Sequence, residues 1–505
     1  MDHWPKNKPS LTILHYITTV LLLSILTTHP SSVNSAIIPL GPSASAERTS
    51  EGMMMAAGPA WSKYNYSEAL RLSLLFYEAQ RSGKLPEDNR IPWRGDSALD
   101  DKGNDGEDLS GGYYDAADYV KFVWTQAGTT TVLAWGLIEG GRGYKGAGLL
   151  GQGLSCLKWA TDFLIKCHVA PDELYGQVGD FSIDKNYWGR PEQMNMSRPA
   201  YKLDTSKPAS DVAGEVSAAL AAASMAFRLH GDTVYADLCL RHATELYHFA
   251  NKHRGLYHLS MKDILQFHES SCYGDELAWA AVWLYKATNN SFYLDEAENH
   301  YNVFRLKERP NEFSTGHRVA GVQVLLAEAT GRAEFKKQAK QFCEFQADGQ
   351  KRSPKGLLCI ERFGALEHAA NVAFLCLQVA NLGIATETSR VMAKQQVDYV
   401  LGDGGRSFMV GFGENPPTQP HHAASSCPDL PAPCGWERLH STEANPQILY
   451  GALVSGPDEN DVFIDTRAEF VFTEVNMNFN AGFQGALAML LDNQNGNGTN
   501  IGNDV

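Results

Sequence analysis

Two carboxylates lie close together in a segment of the chain that is rich in glycine and tyrosine. Asp115 and Asp118 are three residues apart, within residues 111–118. In a tight turn this spacing can direct both side chains at one water molecule. Hydrolysis of a glycoside needs a carboxylate that activates water and a carboxylic acid that protonates the leaving oxygen. The same residues also fit a solvated loop whose aspartates cap a helix, so the pair alone leaves both interpretations open.

A candidate for the acid lies near the C-terminal end of the chain. Glu474 is close in sequence to Phe470, Phe472 and Phe479, and it precedes a predicted helix. Apolar neighbours withdraw a carboxyl from water and raise its pKa, as a general acid requires near neutral pH. A glutamate that only interacts with the helix dipole would occupy the same place.

Two adjacent histidines, His421 and His422, follow the glycine- and proline-containing residues 411–417. A histidine held in a rigid loop can donate a hydrogen bond to a sugar hydroxyl. Paired loop histidines are equally typical of a polar surface, so the spacing does not settle their role.

The elements that must position these residues are mainly helices. Apolar residues recur at helical spacing in twelve segments, whereas strand signals are few. Short links such as residues 230–232 force neighbouring helices to be antiparallel. We therefore predict an all-α toroid of about twelve paired helices. Their predicted ranges are 66–81, 127–140, 153–167, 211–229, 232–251, 275–288, 292–307, 318–330, 333–347, 366–382, 385–401 and 478–491.

The ends of several helices are also marked in the sequence. Ser67 and Asp211 are predicted N-caps. Gly231, Gly331 and Gly383 each follow one helical segment and precede another, as a C-terminal glycine does. Three helix-poor segments are too long for plain connectors and are predicted to be functional loops, namely residues 83–124, 169–210 and 402–477.

The N-terminus has the order of a secretory signal. Lys6 and Lys8 precede an apolar stretch over residues 11–26, and small residues follow near residue 35. A membrane anchor is the alternative, but the apolar run is short and interrupted by polar residues. We predict a secreted protein without membrane association after cleavage. Its predicted parts are a signal peptide (1–35), a linker (36–60), a catalytic domain (61–492) and a disordered tail (493–505).

Composition narrows the range of partners. The 505 residues carry a formal net charge of −15, whereas a nucleic-acid partner would call for a basic face. Hydrophobic residues make up 44% of the chain, which permits a large buried core. Four N-glycosylation sequons fit a secreted protein, at Asn65, Asn195, Asn289 and Asn497.

The nine cysteines permit disulfides outside the cell. Cys427 and Cys434 bracket a proline-rich stretch, so we predict a bridge that closes this loop. Cys167 and Cys376 lie in apolar helical patterns and are predicted to be buried thiols. The sequence has no CxxC or HExxH pattern, so it gives a zinc site no support.

Longer stretches of the chain resemble a known family. Residues 407–421 and 463–481 resemble the histidine and aspartate–glutamate signatures of glycoside hydrolase family 9, a family of endoglucanases. The pair within residues 111–118 resembles the family's Asp-Ala-Gly-Asp motif. The segment from Cys427 to Cys434 looks most like animal members. Further similar segments follow in the family's order, namely residues 65–70, 81–86, 92–97, 188–192 and 206–215.

The resemblance implies an (α/α)6 barrel that hydrolyses β-1,4-glucosidic bonds of cellulose or a related β-glucan with inversion. Asp118 would be the base, with Asp115 holding the same water, and Glu474 would be the acid. His421 and Asp465 would support the sugar and the acid. It also implies a monomer that requires no cofactor, and it allows structural calcium at an unspecified place. Further substrate contacts are expected from Tyr114, Trp188, His422 and Phe363.

The chain departs from the family pattern at several positions of the expected cleft. Ala117 replaces the glycine between the paired aspartates, and Ala423 replaces an arginine. Because sugar rings bind largely by stacking on aromatic faces, lost aromatic residues predict a rebuilt binding surface. The alternative to a working hydrolase is therefore a catalytically weakened, glucan-binding relative. The remaining departures are Lys185 for histidine, Phe363 for tryptophan, residues 314–318 for Ser-Trp-Asp-Asp-Lys, and Glu367-His368 for Arg-Tyr.

Overall fold

The computed structural model describes residues 63–262, 264 and 270–496. The predicted signal peptide, the predicted linker and Asn497 lie outside these residues. The last helix continues to Gly496, so the prediction that the disordered tail begins at residue 493 is wrong for its first four residues.

Each of the twelve predicted helices is present in the described part of the chain. We number them α1 to α12 in chain order. Two of them, α9 and α11, are extended by one π-helical turn, at Phe345–Gly349 and Tyr399–Asp403. The helices are α1 Tyr66–Ala79, α2 Val123–Glu139, α3 Leu150–Cys167, α4 Ser210–Leu229, α5 Thr233–Lys252, α6 Gly274–Thr288, α7 Ser291–Val303, α8 Val319–Thr330, α9 Ala333–Glu344, α10 Ala365–Asn381, α11 Thr386–Asp398 and α12 Met477–Gly496.

The even-numbered helices form an inner ring. Helix α2 packs on α4, α4 on α6, α6 on α8, α8 on α10, α10 on α12, and α12 closes the ring against α2. Each odd-numbered helix packs on the outside, with α1 against α12 and α3, α5, α7, α9 and α11 against α2, α4, α6, α8 and α10. This arrangement is the (α/α)6 barrel that the sequence predicted.

The inner helices begin at one face of the barrel. The backbone N–H of Met477, the first residue of α12, donates to the carbonyl of Asp115, which precedes α2. At the starts of α6 and α8, the N–H of Arg318 donates to the carboxylate of Asp275 at 2.8 Å. The three long helix-poor segments each precede an inner helix. The fold therefore gathers these segments at the same face.

Small residues let the inner helices approach closely. A Cβ built on Gly136 of α2 would lie only 3.1 Å from Gly485 Cα of α12. Of the described helices, only Ser210–Leu229 is long and apolar enough to cross a membrane, and 83% of its most apolar window is buried inside the protein. Its apolarity is explained by packing within the ring, because both its neighbours and its outer helix cover it.

A small antiparallel sheet accompanies the helices. It consists of β1 Lys121–Phe122, β2 His168–Ala170, β3 Glu173–Val178 and β4 Ala200–Leu203. Strand β3 pairs with all three others, and Lys121 lies opposite Val178. Because β1 leads directly into α2, the sheet fixes the end of the loop that carries the carboxylate pair. Shorter helices lie at Gly141–Gly146, Phe181–Asp184, Pro191–Gln193, Tyr257–Ser260, Ala424–Ser426, Trp436–Leu439 and Phe470–Thr473.

Both N-cap predictions are wrong. Asn65, not Ser67, caps α1, since its side chain accepts a hydrogen bond from Glu68 N. Helix α4 begins one residue before Asp211, and the carboxylate of Asp211 accepts hydrogen bonds from Tyr257 N in the segment that follows α5. The three predicted C-terminal glycines, Gly231, Gly331 and Gly383, all have positive φ, as a left-handed cap requires.

The cysteine predictions are confirmed in part. Cys427 and Cys434 form the predicted disulfide, and Cys167 is a buried free thiol. The prediction of a free thiol at Cys376 is wrong, because Cys376 is bonded to Cys343. This bond joins α9 to α10, so it depends on the packing of two helices that the sequence pattern does not pair.

One buried carboxylate connects four of the six inner helices. Glu215 of α4 forms two hydrogen bonds with the guanidinium of Arg318, at 2.8 and 2.9 Å, just before α8. It also accepts from Thr131 of α2 at 3.1 Å and from Trp279 Nε1 of α6 at 3.2 Å. Glu215 and Arg318 are no more than 1% exposed. The ion pair therefore has almost no water to replace a lost partner.

We expect Glu215→Ala to lower the free energy of unfolding by about 3–5 kcal/mol, because it leaves Arg318 buried and unpaired. Chemical denaturation of wild type and variant measures this loss. The control is Asp237→Ala, which breaks an exposed ion pair with Arg228 and should change stability little. Equal losses in the two variants would contradict the role assigned to Glu215.

Candidate active site

Asp115 is held rigidly at the floor of the site. The hydroxyl of Thr125, in the first turn of α2, donates to its Oδ1, and Asn476 Nδ2 donates to Oδ2 at 3.1 Å. The backbone N–H of Asp115 donates to Val120 O, which closes the loop. Burial raises the pKa of this carboxyl to about 6. Both oxygens are thus fixed in direction by neighbours at the starts of two inner helices.

Asp118 is only partly buried, and it lies beside two other carboxyls. Burial, and then the charges of Asp184 and Asp115, raise its pKa well above the ordinary value. Asp184 accepts a hydrogen bond from Tyr119 N at 3.0 Å through one oxygen. Its other oxygen is buried without a hydrogen-bond partner among the described residues. The site thus contains a further carboxyl, Asp184, that the sequence analysis did not select.

Glu474 faces the loop that carries the aspartates. The backbone N–H of Ala117 donates to its Oε1 at 3.3 Å, and its Oε2 lies 3.7 Å from His421 Nε2. Burial is the main cause that raises its pKa well above the ordinary value, and the charge of Asp118 adds to it. The carboxyl of Glu474 therefore retains its proton at a pH at which an exposed glutamate has lost it.

His421 is oriented by the backbone. Its Nδ1–H donates to Arg467 O at 2.7 Å, so the nitrogen turned towards Glu474, Nε2, carries no proton in the neutral ring. Burial lowers the pKa of His421 to about 4, which keeps it neutral near pH 7. Asp465 accepts hydrogen bonds from the backbone N–H groups of Thr418 and Gln419. Asp465 therefore holds the loop that carries His421.

Two predicted substrate contacts are corrected by the structure. His422 is 2% exposed, and its ring nitrogens bond to Gln80 Oε1 at 2.9 Å and Ser425 N at 3.1 Å. Tyr114 is 1% exposed, and its hydroxyl donates to Ser97 Oγ at 2.8 Å. Neither side chain has a face or polar atom left for a sugar, so both stabilise the loops from within.

The exposed aromatic faces lie elsewhere. Trp188 is mostly buried against His421, with ring centroids 5.1 Å apart. Phe363 is 45% exposed, as expected of a residue in an open cleft. Trp436 is 43% exposed and lies 5.8 Å from the Trp188 ring. The sequence analysis missed Trp436, although its position two residues after the bridged Cys434 was a usable signal.

The two alanine departures contact each other. Ala117 is not among the residues with positive φ, so its methyl group causes no backbone strain. The backbone N–H of Ala423 donates to Ala117 O at 3.1 Å. Ala423 is 1% exposed and packs in a small cluster with Tyr114, Tyr119 and Trp188. The space that a family arginine would need is therefore filled.

The described residues offer one group with the spacing of metal ligands, formed by His168, His242 and Glu245. His168 Nδ1 and His242 Nδ1 are 2.8 Å apart, the distance of an ordinary hydrogen bond between the rings. Calcium prefers six to eight oxygen ligands, so this nitrogen-rich group does not fit the calcium that the resemblance allows. The group lies on β2 and α5, and Asp115, Asp118 and Glu474 do not take part in it.

Three predicted glycosylation sites lie on the surface. Asn65, Asn195 and Asn289 are all exposed, so each side chain is accessible to a modifying enzyme.

A ring of paired helices with carboxyls at one face defines a class of carbohydrate-processing proteins, and the comparisons specify it. The sequence profile of Glycosyl hydrolase family 9 matches residues 66–487. Endoglucanase B of Cellulomonas fimi is 41% identical over 452 residues, which are 86% of this chain and 42% of that longer protein.

Comparison with solved structures agrees with this family match. The endoglucanase of the termite Nasutitermes takasagoensis has 51% identity and a TM-score of 0.84, covering 85% of this chain and 99% of that one. The cellulase Cel9M of C. cellulolyticum in complex with cellobiose has 33% identity and a TM-score of 0.80, with coverages of 85% and 99%. The chain belongs to glycosyl hydrolase family 9, and the prediction of a glycoside hydrolase is confirmed.

We expect Glu474→Gln to stabilise the protein more at pH 8 than at pH 4. A carboxyl whose pKa is raised by folding contributes stability that is complete below its unfolded pKa and is lost as the pH rises through the folded pKa. The amide does not ionise and can donate to His421 Nε2. The melting temperature of Glu474→Gln minus that of the wild type should therefore be at least about 2 °C larger at pH 8 than at pH 4.

The control for this comparison is Glu469→Gln, which removes an exposed carboxylate from the same segment. Its melting temperature should follow that of the wild type at both pH values. A difference for Glu474→Gln that is independent of pH would show that the carboxyl is not held protonated by burial.

We expect Ala423→Arg to lower stability by about 1–3 kcal/mol, because it overpacks a filled cluster. The guanidinium groups of Arg94 and Arg198 already lie 5.8 Å from the Tyr114 ring, so a third guanidinium there would be repelled by two cations. Thermal unfolding measures the effect, and Ala423→Ser serves as a control of similar size. An arginine variant with unchanged stability and improved kcat/KM would overturn this view of the cluster.

Proposed function

We propose that this protein is an endoglucanase that hydrolyses β-1,4-glucosidic bonds of cellulose or related β-glucans with inversion at the anomeric carbon. The single observation that supports the proposal most is the assembly of Asp115, Asp118 and Glu474 at one face of the barrel. The names of the family relatives, endoglucanases and a cellulase bound to cellobiose, agree with this substrate class.

In this mechanism Asp118 is the base. Its carboxylate is partly exposed, whereas that of Asp115 is buried and already accepts from Thr125 and Asn476. A water held between the two aspartates is deprotonated by Asp118 as it attacks the anomeric carbon. The base and the acid of an inverting enzyme are roughly 6.5–9.5 Å apart, and the same separation is expected here.

Glu474 is the acid and protonates the glycosidic oxygen. Its desolvated carboxyl keeps the proton until the leaving oxygen needs it. His421 stays neutral, so it does not compete with Glu474 by attracting an ionised carboxylate. Asp465 acts indirectly, because it fixes the loop around Thr418 and Gln419 that positions His421.

The sugar rings bind against aromatic faces. Phe363 and Trp436 are the exposed rings next to the site, and Trp188 adds its ring edge beside His421. Burial of an aromatic face against a pyranose removes apolar surface from water and so helps to position the chain. The cleft is thus able to hold a glucan, although with fewer stacking faces than the family pattern predicts.

The alternative of a non-catalytic glucan-binding relative lacks support in the geometry. A binding protein gains nothing from three desolvated carboxyls, because each ionised carboxyl that is buried reduces stability. The comparisons likewise include named endoglucanases. Secretion, glycosylation at the exposed sequons and a monomeric state remain part of the proposal.

We expect Asp118→Asn and Glu474→Gln each to lower kcat on a soluble β-1,4-glucan by about 10²–10⁴-fold, because each removes one proton transfer. Asp115→Asn should be less severe, since an amide can still hold water. Reducing-sugar release gives the rates, and NMR of the first product formed by the wild type tests inversion.

Asp100→Asn, at an exposed position outside the site, should retain wild-type activity and controls for expression and folding. Near wild-type activity of Glu474→Gln would reject Glu474 as the acid. A β-anomer as first product would reject inversion.

A further inference from the structure

Two segments that depart from the family pattern meet at the face of the barrel where the inner helices begin. The carboxylate of Glu312 bridges two histidines, with Oε1 3.3 Å from His317 Nδ1 and Oε2 3.2 Å from His368 Nδ1. His317 lies just before α8, and His368 lies in the first turn of α10. The bridge therefore joins the starts of two neighbouring inner helices. We call Glu312, His317, His368 and the adjacent Glu367 the histidine–glutamate wall.

The charges of Glu312 and His368 stabilise each other. Burial alone would raise the pKa of Glu312, but the hydrogen bond and charge of His368 and the charge of His317 hold it at about 2. Burial would lower the pKa of His368, yet Glu312 and Glu367 raise it above the ordinary value. Glu312 and His368 thus form a close ion pair, with 3.2 Å between Oε2 and Nδ1.

Glu367 is the member of the wall without a partner. Its side chain is 8% exposed, and its carboxyl has no hydrogen bond to any of the described residues. The charge of Asp115 acts on it, so it lies within electrostatic reach of the catalytic carboxyls. A buried polar group is normally hydrogen-bonded, so an unpartnered one next to a cleft indicates an acceptor for a ligand.

The charges that face Glu367 come from several elements. His368 is on its own helix, Glu312 and Arg318 precede α8, and Asp115 precedes α2. Tyr77 of α1 is also affected by its charge. The two cations in this set are occupied, because Arg318 is bound by Glu215 and His368 by Glu312. An anionic group of a ligand would therefore meet Glu367 without a free counter-charge.

We propose that Glu367 is a specificity-determining residue that accepts hydrogen bonds from the hydroxyls of an uncharged glucan and disfavours glucans with anionic substituents. This inference rests on the proposed function, because it assigns a substrate preference to the same cleft. Hydroxyl groups can donate to the free carboxylate, whereas a carboxylate substituent can only be repelled by it.

The preference should depend on pH. Burial raises the pKa of Glu367 to about 7, so the group is neutral in mild acid and anionic in mild base. Repulsion of an anionic substituent is thus weak at pH 5.5 and strong at pH 8.5. Asp115, Asp118 and Glu474 also titrate, but they affect the turnover of every substrate.

The experiment compares two soluble polymers with the same backbone, uncharged hydroxyethylcellulose and anionic carboxymethylcellulose. The ratio of their kcat/KM values cancels the titration of the catalytic groups. For the wild type, the preference for the uncharged polymer should rise between pH 5.5 and pH 8.5. In Glu367→Gln, which keeps an acceptor but loses the charge, this rise should be about three- to ten-fold smaller.

The control is Glu387→Gln, which removes an exposed carboxylate from the outer helix α11 and leaves the net charge equal to that of Glu367→Gln. The preference of this variant for the uncharged polymer should change with pH as that of the wild type does. A wild-type preference that is flat with pH overturns the inference without any variant, and so does an unchanged rise in Glu367→Gln. Failure of the wild type to cleave either polymer or cellohexaose would refute the proposed function instead.

Discussion

The rest of the barrel depends on the interactions of one buried carboxylate, that of Glu215. It binds Arg318 through both oxygens and accepts from Thr131 and Trp279, so it connects α2, α4, α6 and α8. Burying a charge pair is unfavourable unless its hydrogen bonds are complete, and here they are. Arg318 directly precedes α8. The pair therefore fixes the start of an inner helix, and with it the face at which the cleft lies.

Two opposing effects act on the carboxyls at that face. The positive ends of helix dipoles favour an ionised carboxylate there, by about 0.3–1 kcal/mol for one helix. Burial disfavours it, and a rise of the Asp115 pKa from 3.8 to about 6 corresponds to about 3 kcal/mol. The effect of burial on the ionisation of Asp115 is therefore larger than that of one helix dipole. The result is a group of carboxyls whose pKa values all lie above the ordinary range, as a general acid requires.

Helical periodicity predicted the fold well, because it depends only on which residues face the core. All twelve helices were predicted, and most ends agree within a few residues. Helix α2 begins four residues before its predicted start, at Val123, because β1 leads into it without a connecting loop. The Cys343–Cys376 bond and the Glu215 contacts were not predictable, since they join helices that are distant in the sequence.

The residues of the site could be predicted where the resemblance aligned the chain with the family motifs. The directions in which their side chains point could not be predicted. His421 and His422 are neighbours in one loop, yet one faces Glu474 and the other is buried against Gln80. Successive side chains in an extended loop point to opposite sides, and only the packing of the loop decides which side is the cleft. Asp184 was likewise missed, because its closeness to Asp118 arises from the fold.

The departures from the family pattern are arranged in contact groups, and this arrangement bears on whether the cleft is degraded or adapted. Ala117 and Ala423 share a backbone hydrogen bond, so the added methyl group and the lost arginine occur at one contact. His317 and His368 share the carboxylate of Glu312. Unpaired groups at these buried positions would lower stability, so the contacts preserve packing and charge balance around the three carboxyls. An intact group of carboxyls beside a changed wall agrees with the proposal that this chain selects differently among glucans.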